Sequence, residues 1–453
     1  MIQVVQNPVM KEPDAILSCF EQFEEKGTGK NPPWVHAIRK AGISHFAELG
    51  FPTLQHEEWK FTNMMPVTKF PFKIMLEPSS DQFTPQEIKR FTFGGMPCNR
   101  LVFVDGYYSP KLSSLGPELD DVQMGSLAVA LEERSGLIEK HLARYARYND
   151  NAFVALNTAF LKDGAFIWLP PNKVVQKPIH LLFVASSRGK GITTHPRNLV
   201  LAEKGSKGTI IENYVSIADA AYFTNSVTEV VMGENVMVEY CKVQDESRGA
   251  FHVATVQFHQ DQNSKLVSHS ISTGARLARN NIQTVLDGEG IECVLNGLYV
   301  AKDEQLVDHH TVVDHAKPHC NSHEFYHGIL DGSSKGVFNG KIFVRKDAQK
   351  TDAKQTNKNL LLSDSATVNT KPQLEIFADD VKCTHGATVG QLDEEAIFYL
   401  RSRGIGIETA RQMLVYAFAS SILDKITLEP VREQLERMLL GQLAQHYQSG
   451  ESP

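Results

Sequence analysis

Apolar positions change their spacing twice along this chain. Over the first part they recur at helical intervals. Ile16, Leu17, Phe20 and Phe23 share one side of a helix predicted from Pro13 to Glu25 and stopped at Gly27. A second helix is predicted from Pro33 to Leu49, with a proline suited to the first turn and Gly50 just beyond the end. Leu127, Val129, Leu131, Leu137, Ile138 and Leu142 predict an amphipathic helix from Ser126 to Ala146, and another follows from Asn151 to Leu161. Residues 70–125 mix short strands and turns. From Phe166 to Val389 the spacing becomes strand-like. Short runs such as Thr209 to Ile217, Val236 to Val243, Ile291 to Val300 and Gly336 to Val344 are punctuated by Gly, Asn, Asp and Ser. After Gly390 helical spacing returns, predicting helices over Asp393 to Arg403, Glu408 to Ile426 and Glu429 to Tyr447. The second of these is apolar nearly all round, the mark of a helix that is buried or docks on a partner. Residues from Ser449 are expected to be disordered.

More than two hundred residues of short strands suggest a sandwich, a barrel or a β-solenoid. A repeat favours the solenoid. Val294-Leu295-Asn296-Gly297 recurs as Val337-Phe338-Asn339-Gly340, and Leu286-Asp287-Gly288 as Leu330-Asp331-Gly332, with offsets of 43 and 44 residues. Such a period would be two turns of a parallel β-helix at about 21 residues each. The expected organisation is a mainly helical region over 1–164, a β-helix over 165–390, a helical region over 391–448 and a tail over 449–453.

The composition adds exclusions. With 453 residues, 42% apolar and 22% charged, the chain is long enough for two or three domains or one large solenoid. A net charge of −7 argues against a nucleic-acid binder. There is no eighteen-residue apolar run to span a membrane, and no basic-then-apolar start of a signal peptide. The six cysteines are scattered, without a C-x-x-C pair. That argues against a disulfide framework, a zinc ribbon or a permanently bound cluster, and fits a reduced cytoplasmic setting.

Three places could carry chemistry. Cys383-Thr384-His385 stands where strand gives way to helix. In an extended strand residues two apart point to one side, about 7 Å apart. Thiolate and imidazole would form a soft ligand pair for iron, copper or zinc, but only half of a closed four-ligand site. The structural alternative is a small buried Cys383 and a hydrogen-bonded rim His385. Around His56, Glu57 and Glu58, Trp59 and Phe61 are expected to anchor a loop to a core while the charges stay in solvent. The densest titratable cluster is Asp308, His309, His310, Asp314, His315, His319, Cys320, His323, Glu324 and His327. Spacing by four would align four of these histidines on a helix as a metal site, but Pro318 breaks that helix. The cluster therefore reads as a polar turn and outer solenoid face. No G-x-x-x-x-G-K-[ST] is present, and Gly27-Thr28-Gly29-Lys30 and Gly189-Lys190-Gly191 lack phosphate-cradling spacing, so the chain is not itself an ATPase. The dinucleotide-binding G-x-G-x-x-G and the hydrolase G-x-S-x-G are also missing.

Several stretches resemble the SufB/SufD family of the SUF iron–sulfur cluster assembly system. They are Pro52-Thr53 with His56-Glu57-x-Trp59-Lys60-Phe61-Thr62, Asn157-Thr158-Ala159-Phe160 before Asp163-Gly164, and Pro178-Ile179-His180-Leu181. Further on come Asn369, Pro372, Leu374-Glu375-Ile376, Asp379-Asp380-Val381-Lys382-Cys383-x-His385-Gly386, Thr388-Val389-Gly390 and Arg401-Ser402-Arg403-Gly404-Ile405. Ala366 stands where the SufB branch carries a sulfur-accepting cysteine, which places the resemblance on the SufD side. It implies a right-handed parallel β-helix flanked by helical regions, and a non-catalytic scaffold subunit. It implies pairing with a SufB-like paralogue through the β-helices, and homodimerisation as an alternative. A SufC ABC-type ATPase is expected on the C-terminal helices, through Met413, Tyr416, Phe418 and Leu423. Iron and a transient nascent cluster are implied at the interface, with Cys383 and His385 contributing and His385 the iron ligand. Reduced FAD is implied on the complex, and no cofactor held permanently by this chain. Two other readings stay open: a β-helix polysaccharide-active enzyme, which needs an acidic or calcium-binding groove and usually an export signal, and a stand-alone metalloprotein built on the histidine cluster.

Overall fold

The computed structural model describes residues 12–26, 31–70, 73–75, 83–116, 121–186 and 191–448. The glycine loops at 27–30 and 189–190, and the tail from Ser449, lie outside the described residues. Two parallel sheets face each other and form a β-solenoid of about eight turns. The chain alternates between the sheets, one strand in each per turn. From Phe223 on, one sheet, here the front, holds Phe223–Met232, Phe251–Gln260, Leu277–Leu286, Leu306–His315, Lys335–Val344 and Thr367–Ile376. The back sheet holds Lys207–Ser216, Met237–Asp245, Lys265–Ser272, Glu292–Ala301, Asn321–Leu330, Asp352–Leu361 and Lys382–Gly390.

The register corrects the expected period. Phe251 pairs with Leu277 and Lys335 with Thr367, offsets of 26 and 32 residues, so one turn is longer than about 21. The two matching segments sit on opposite sheets: Val294 in the back, Val337 in the front. The offset of 43 is therefore one and a half turns. What repeats is the half-turn, a ten-residue strand plus a tight corner. Each corner needs a backbone reversal, and Asn235, Asn263 and Asp303 supply it at positive φ.

Inward positions stack in ladders along the axis. Val230, Phe258, Thr284, Val313, Ile342 and Leu374 form one in the front sheet. Each fully buried large apolar side chain contributes roughly 1.5–3 kcal/mol. Gly297 is required because the Tyr326 ring of the next turn lies where its Cβ would be, and Tyr299 likewise lies over Gly328. Some polar lumen groups are bonded to one another: Tyr214 and Thr228 donate to Glu212 at 2.7 and 2.8 Å, and Lys242 Nζ reaches Asn280 Oδ1 at 2.7 Å. Asp352–Leu361 is nearly without apolar residues until its end. It is nonetheless a strand, because Gln355, Asn357 and Asn359 fill the lumen and Lys354 and Lys358 face water.

Helices cover the outer faces unevenly. The N-terminal helices Glu12–Lys26, Pro33–Leu49 and Ala152–Ala159 pack with Phe223, Phe251 and Leu277 of the front sheet. The helix Pro33–Leu49 has its expected bounds, and Gly50 at φ 63 closes it by donating to Phe46 O. At Gly42 it crosses Ala152–Ala159 so closely that a Cβ would strike the Ala159 and Ala155 backbones. The helix expected over 126–146 is broken into Leu127–Glu133, Ser135–Ile138 and turns. Buried Glu229 explains this. Its carboxylate accepts the amides of Ala143, Tyr145 and Ala146 at 2.8, 2.9 and 3.0 Å, removing them from helical bonding. The N-terminal region also supplies strands: Asn99–Val104 pairs in parallel with Ile179–Ala185 and extends the back sheet. The C-terminal helices Glu394–Ser402, Ile407–Leu423 and Glu429–Gln448 follow the last turn. The second and third fold back to cover Ile211, Val243, Ile271, Leu298 and Ile329 of the back sheet. Among the described residues no helix is long and apolar enough to cross a membrane.

Candidate functional site

The two ends of the solenoid differ. At the N-terminal end Arg197–Ala202 is fully buried and Ala165–Leu169 nearly so, and the short antiparallel strand Gln123–Ser126 pairs along the latter. At the other end, among the described residues, Thr367–Ile376 pairs only with Lys335–Val344, and Lys382–Gly390 only with Asp352–Leu361. Each leaves a row of backbone N–H and C=O groups open. Nearly every residue of Lys382–Gly390 is exposed. Pro372, which cannot donate to a ladder, sits in one of these edge strands as expected. Ile376, Phe377 and Val389 add exposed apolar surface there.

Cys383 and His385 are both on this last strand and face the lumen side. Cys383 pairs with Ala353 and packs in the small cluster of Ile342, Val344, Ala348 and Ala378. His385 pairs with buried Gln355 but is itself exposed. Burial raises the Cys383 thiol above its ordinary value, so the lone chain presents a thiol rather than a thiolate. A metal would have to displace that proton. Among the described residues no three His, Cys, Asp or Glu side chains gather as a metal set. The pair therefore offers two donors at an open edge, half of a four-ligand site. Ala366, buried, lies just before Thr367–Ile376 rather than within a strand.

The histidine cluster is dispersed by strand alternation, and its reading as an outer face needs correction. His309, His315 and Glu324 point into the lumen and are fully buried. Burial holds His309 down to about 3 and His315 to about 4, and pushes Glu324 up to about 7. His309 stacks on Tyr299 at 5.3 Å, and Cys320 donates to Gly288 O. Asp314 pairs with Arg345 outside, His319 turns a corner, and His323 lies 3.9 Å from Asp352. His327 meets the C-terminal helix, its Nδ1 3.1 Å from Phe418 O and its ring stacked on Phe418.

The segment around His56 to Thr62 is a strap across the front sheet. Trp59 anchors it as expected, packed on Phe153 at 5.2 Å with the Arg279 guanidinium 3.7 Å from its ring. Phe61 does not anchor it and is 40% exposed. Thr62 takes that place, donating to buried Asp308 at 2.5 Å. Glu57 and Glu58 stay exposed to solvent as expected, and each also has a partner: Glu58 accepts from Asn339 at 3.1 Å beside His310, and Glu57 pairs with Lys371 of the last turn. Burial opposes ionisation of Asp308, but Arg279 and His310 outweigh it and hold this carboxyl below its usual range. Arg279–Asp308 was not legible in sequence, because the two lie on neighbouring turns with ordinary spacing. Beside the strap lies a groove of ≈ 1110 Å³, with Gln257, Gln283, His310 and Lys341 on its floor.

Of the residues expected to dock an ATPase, Leu423 is buried against the back sheet, while Tyr416 and Phe418 pack against the same cluster. Met413 is exposed. The exposed apolar side chains gather instead on Glu394–Ser402 and the start of the next helix: Phe398 (74%), Tyr399 (56%) and Ile407 (37%).

Residues 183–418 match the family described as SUF system FeS cluster assembly, SufBD core domain, and residues 10–181 match the SufBD protein N-terminal region. An iron-sulfur cluster assembly SufBD family protein of Synechocystis is 33% identical, covering 88% of this chain and 89% of that one. The iron-sulfur cluster assembly protein SufD of Escherichia coli is 32% identical over 93% of this chain and 95% of its own. SufD of Bacillus subtilis is 28% identical over 92% and 95%. With its core and its N-terminal region both matched, and its strap and last strand carrying the residues of that resemblance, the chain belongs to the SufBD family of SUF-system iron–sulfur cluster assembly proteins.

Proposed function

We propose that this chain is a non-catalytic scaffold subunit whose open solenoid end pairs with a SufB-like paralogue, and that His385, with Cys383, contributes half of an iron-binding site there. The observation that carries this is the uncovered last turn, where a lumen-facing thiol and imidazole stand beside two unpaired strand edges. A partner solenoid would continue the sheets, cover Ile376, Phe377 and Val389, and add the missing ligands. Iron and sulfide are cargo in this reading, and the cluster is transient. Reduced flavin belongs to the assembled complex, and the setting is cytoplasmic. A second copy of this chain is the competing occupant of the same end.

A SufC-type ATPase docks on the C-terminal helices, and the surface favoured for it is Phe398, Tyr399, Ile407 and Met413. Tyr416, Phe418 and Leu423 serve to hold the helices on the solenoid. The polysaccharide reading loses support, since Glu57, Glu58, Asp287 and Asp314 of the outer groove face Lys371, His310, His259 and Arg345, and among the described residues no acidic set gathers that could hold a calcium ion.

The test is His385→Ala in the complex purified from its own cells. The complex should assemble and hydrolyse ATP, while iron and sulfide per complex fall severalfold, because an exposed rim residue hardly affects folding but a lost ligand removes a bond and its geometry. Cys383→Ala should lose less. Normal iron loading and normal rescue of cluster-dependent enzymes by His385→Ala would sink the assignment.

A further inference from the structure

His385 tops a lumen column. Leu295, Glu324, Gln355 and His385 are register partners on successive back-sheet strands, all on the inward side. Glu324 and Gln355 are 0% and 1% exposed. Gln355 Nε2 donates to Glu324 Oε2 at 2.9 Å, and Thr311 Oγ1 donates to the same oxygen at 2.9 Å. That arrangement fixes the amide with its nitrogen turned down into the solenoid. Gln355 Oε1 is buried and has no hydrogen-bond partner among the described residues. Neighbouring strands lie about 4.8 Å apart, so this oxygen is within a side chain's reach of the imidazole above it. A buried acceptor left open costs about 1–3 kcal/mol; Gln244, Gln260 and Glu324 leave such oxygens deeper in the lumen, and that of Gln355 is the one in register with His385 on the neighbouring strand.

We propose that Gln355 is a positioning residue for His385: when a partner covers the open end, its amide oxygen accepts the proton of one imidazole nitrogen and leaves the other nitrogen's lone pair for iron. This rests on the reading of His385 as an iron ligand. Metal-binding histidines generally donate their second N–H to such an acceptor, which sets tautomer and ring orientation. Glu324 and Thr311 act one step further back by holding the amide. An amide suits the place because it is neutral in either environment, and another carboxylate beside Glu324 would add an uncompensated charge.

The experiment titrates the purified complex with ferrous iron alone. Gln355→Met keeps the volume and removes the acceptor; Gln355→Leu serves if that variant does not assemble. Loss of an outer partner of this kind typically weakens metal binding 10- to 100-fold. The swapped pair Glu324→Gln with Gln355→Glu restores both the internal bond and an upward-facing oxygen, and should recover affinity to within threefold of wild type. Because the exchange also restores the internal bond, the His385 tautomer is the readout that a merely structural role for Gln355 would leave unmoved. Selectively ¹⁵N-labelled histidine should show one dominant His385 tautomer in the wild-type complex and a mixture in Gln355→Met. Less than threefold loss in Gln355→Met, or no recovery in the swapped pair, overturns the proposal. If His385→Ala also binds iron normally, the ligand reading has failed; if only Gln355→Met does, the positioning role alone has failed.

Discussion

Replacing Asp308 tests how the strap is held. Asp308 lies fully buried between the front sheet and the strap, and serves three groups. Arg279 Nη1 donates to it at 2.8 Å, Thr62 Oγ1 at 2.5 Å, and His310 Nε2 lies 3.0 Å away. In Asp308→Ala the Arg279 charge stays buried. It keeps its bond to Glu58 O at 2.7 Å, its bond to Asn281 at 3.0 Å and the Trp59 ring, but loses its counter-charge. Removing one partner of a buried pair costs about 3–5 kcal/mol, whereas replacing both with apolar groups is often close to neutral. The surviving contacts argue for the lower part of that range, about 3 kcal/mol. Arg279→Met with Asp308→Leu should recover most of it. Urea unfolding gives the global loss, and amide hydrogen exchange over residues 51–62 shows whether the strap opens first. The acid dependence has a definite sign. Because Asp308 titrates below its unfolded value of about 3.9, its contribution is present above that pH and is lost as pH falls toward its folded value. A cost under about 1 kcal/mol for Asp308→Ala, or a double variant less stable than the single one, would refute the clamp.

Gly297→Ala should destabilise the chain by several kcal/mol through collision with Tyr326, and Gly297→Ala with Tyr326→Leu should be milder; equal melting of wild type and Gly297→Ala would contradict the ring-over-glycine stacking. Burial holds His180, His195 and His309 down to about 3, so between about pH 6.5 and 3 the unfolded chain binds more protons and stability falls as the pH drops, by about 1.4 kcal/mol per unit for each. His309→Phe should make that slope shallower by about one proton, measured by urea midpoints across the range. Phe398→Glu with Tyr399→Glu should abolish ATPase-subunit binding in pull-down while leaving the melting temperature unchanged, whereas Leu423→Glu should lower the melting temperature; unchanged binding in the first variant would place the docking surface elsewhere.

What the sequence determined by itself was whatever rests on neighbours within a turn or two. The helix Pro33–Leu49 was legible to the residue because a proline starts it and Gly50 stops it. The three C-terminal helices and the strand character from Phe166 to Val389 followed from spacing, and Cys383 and His385 from their separation by two. The tertiary structure decided everything that depends on distant partners. The helix over 126–146 fails because Glu229, far along the chain, captures three of its amides. The repeat of 43 could not be divided correctly, since strand–corner units look alike on both sheets and only the register distinguishes two turns from one and a half. Alternation sends His309 inward and His310 outward, so a cluster dense in sequence is scattered in space. Leu423 and Met413 look alike on an apolar helix until the back sheet covers one of them. Local patterns settle which elements form, through backbone geometry and the hydrophobic period. Which polar group is buried, which face is covered and which edge stays open are properties of packing between residues far apart in the chain.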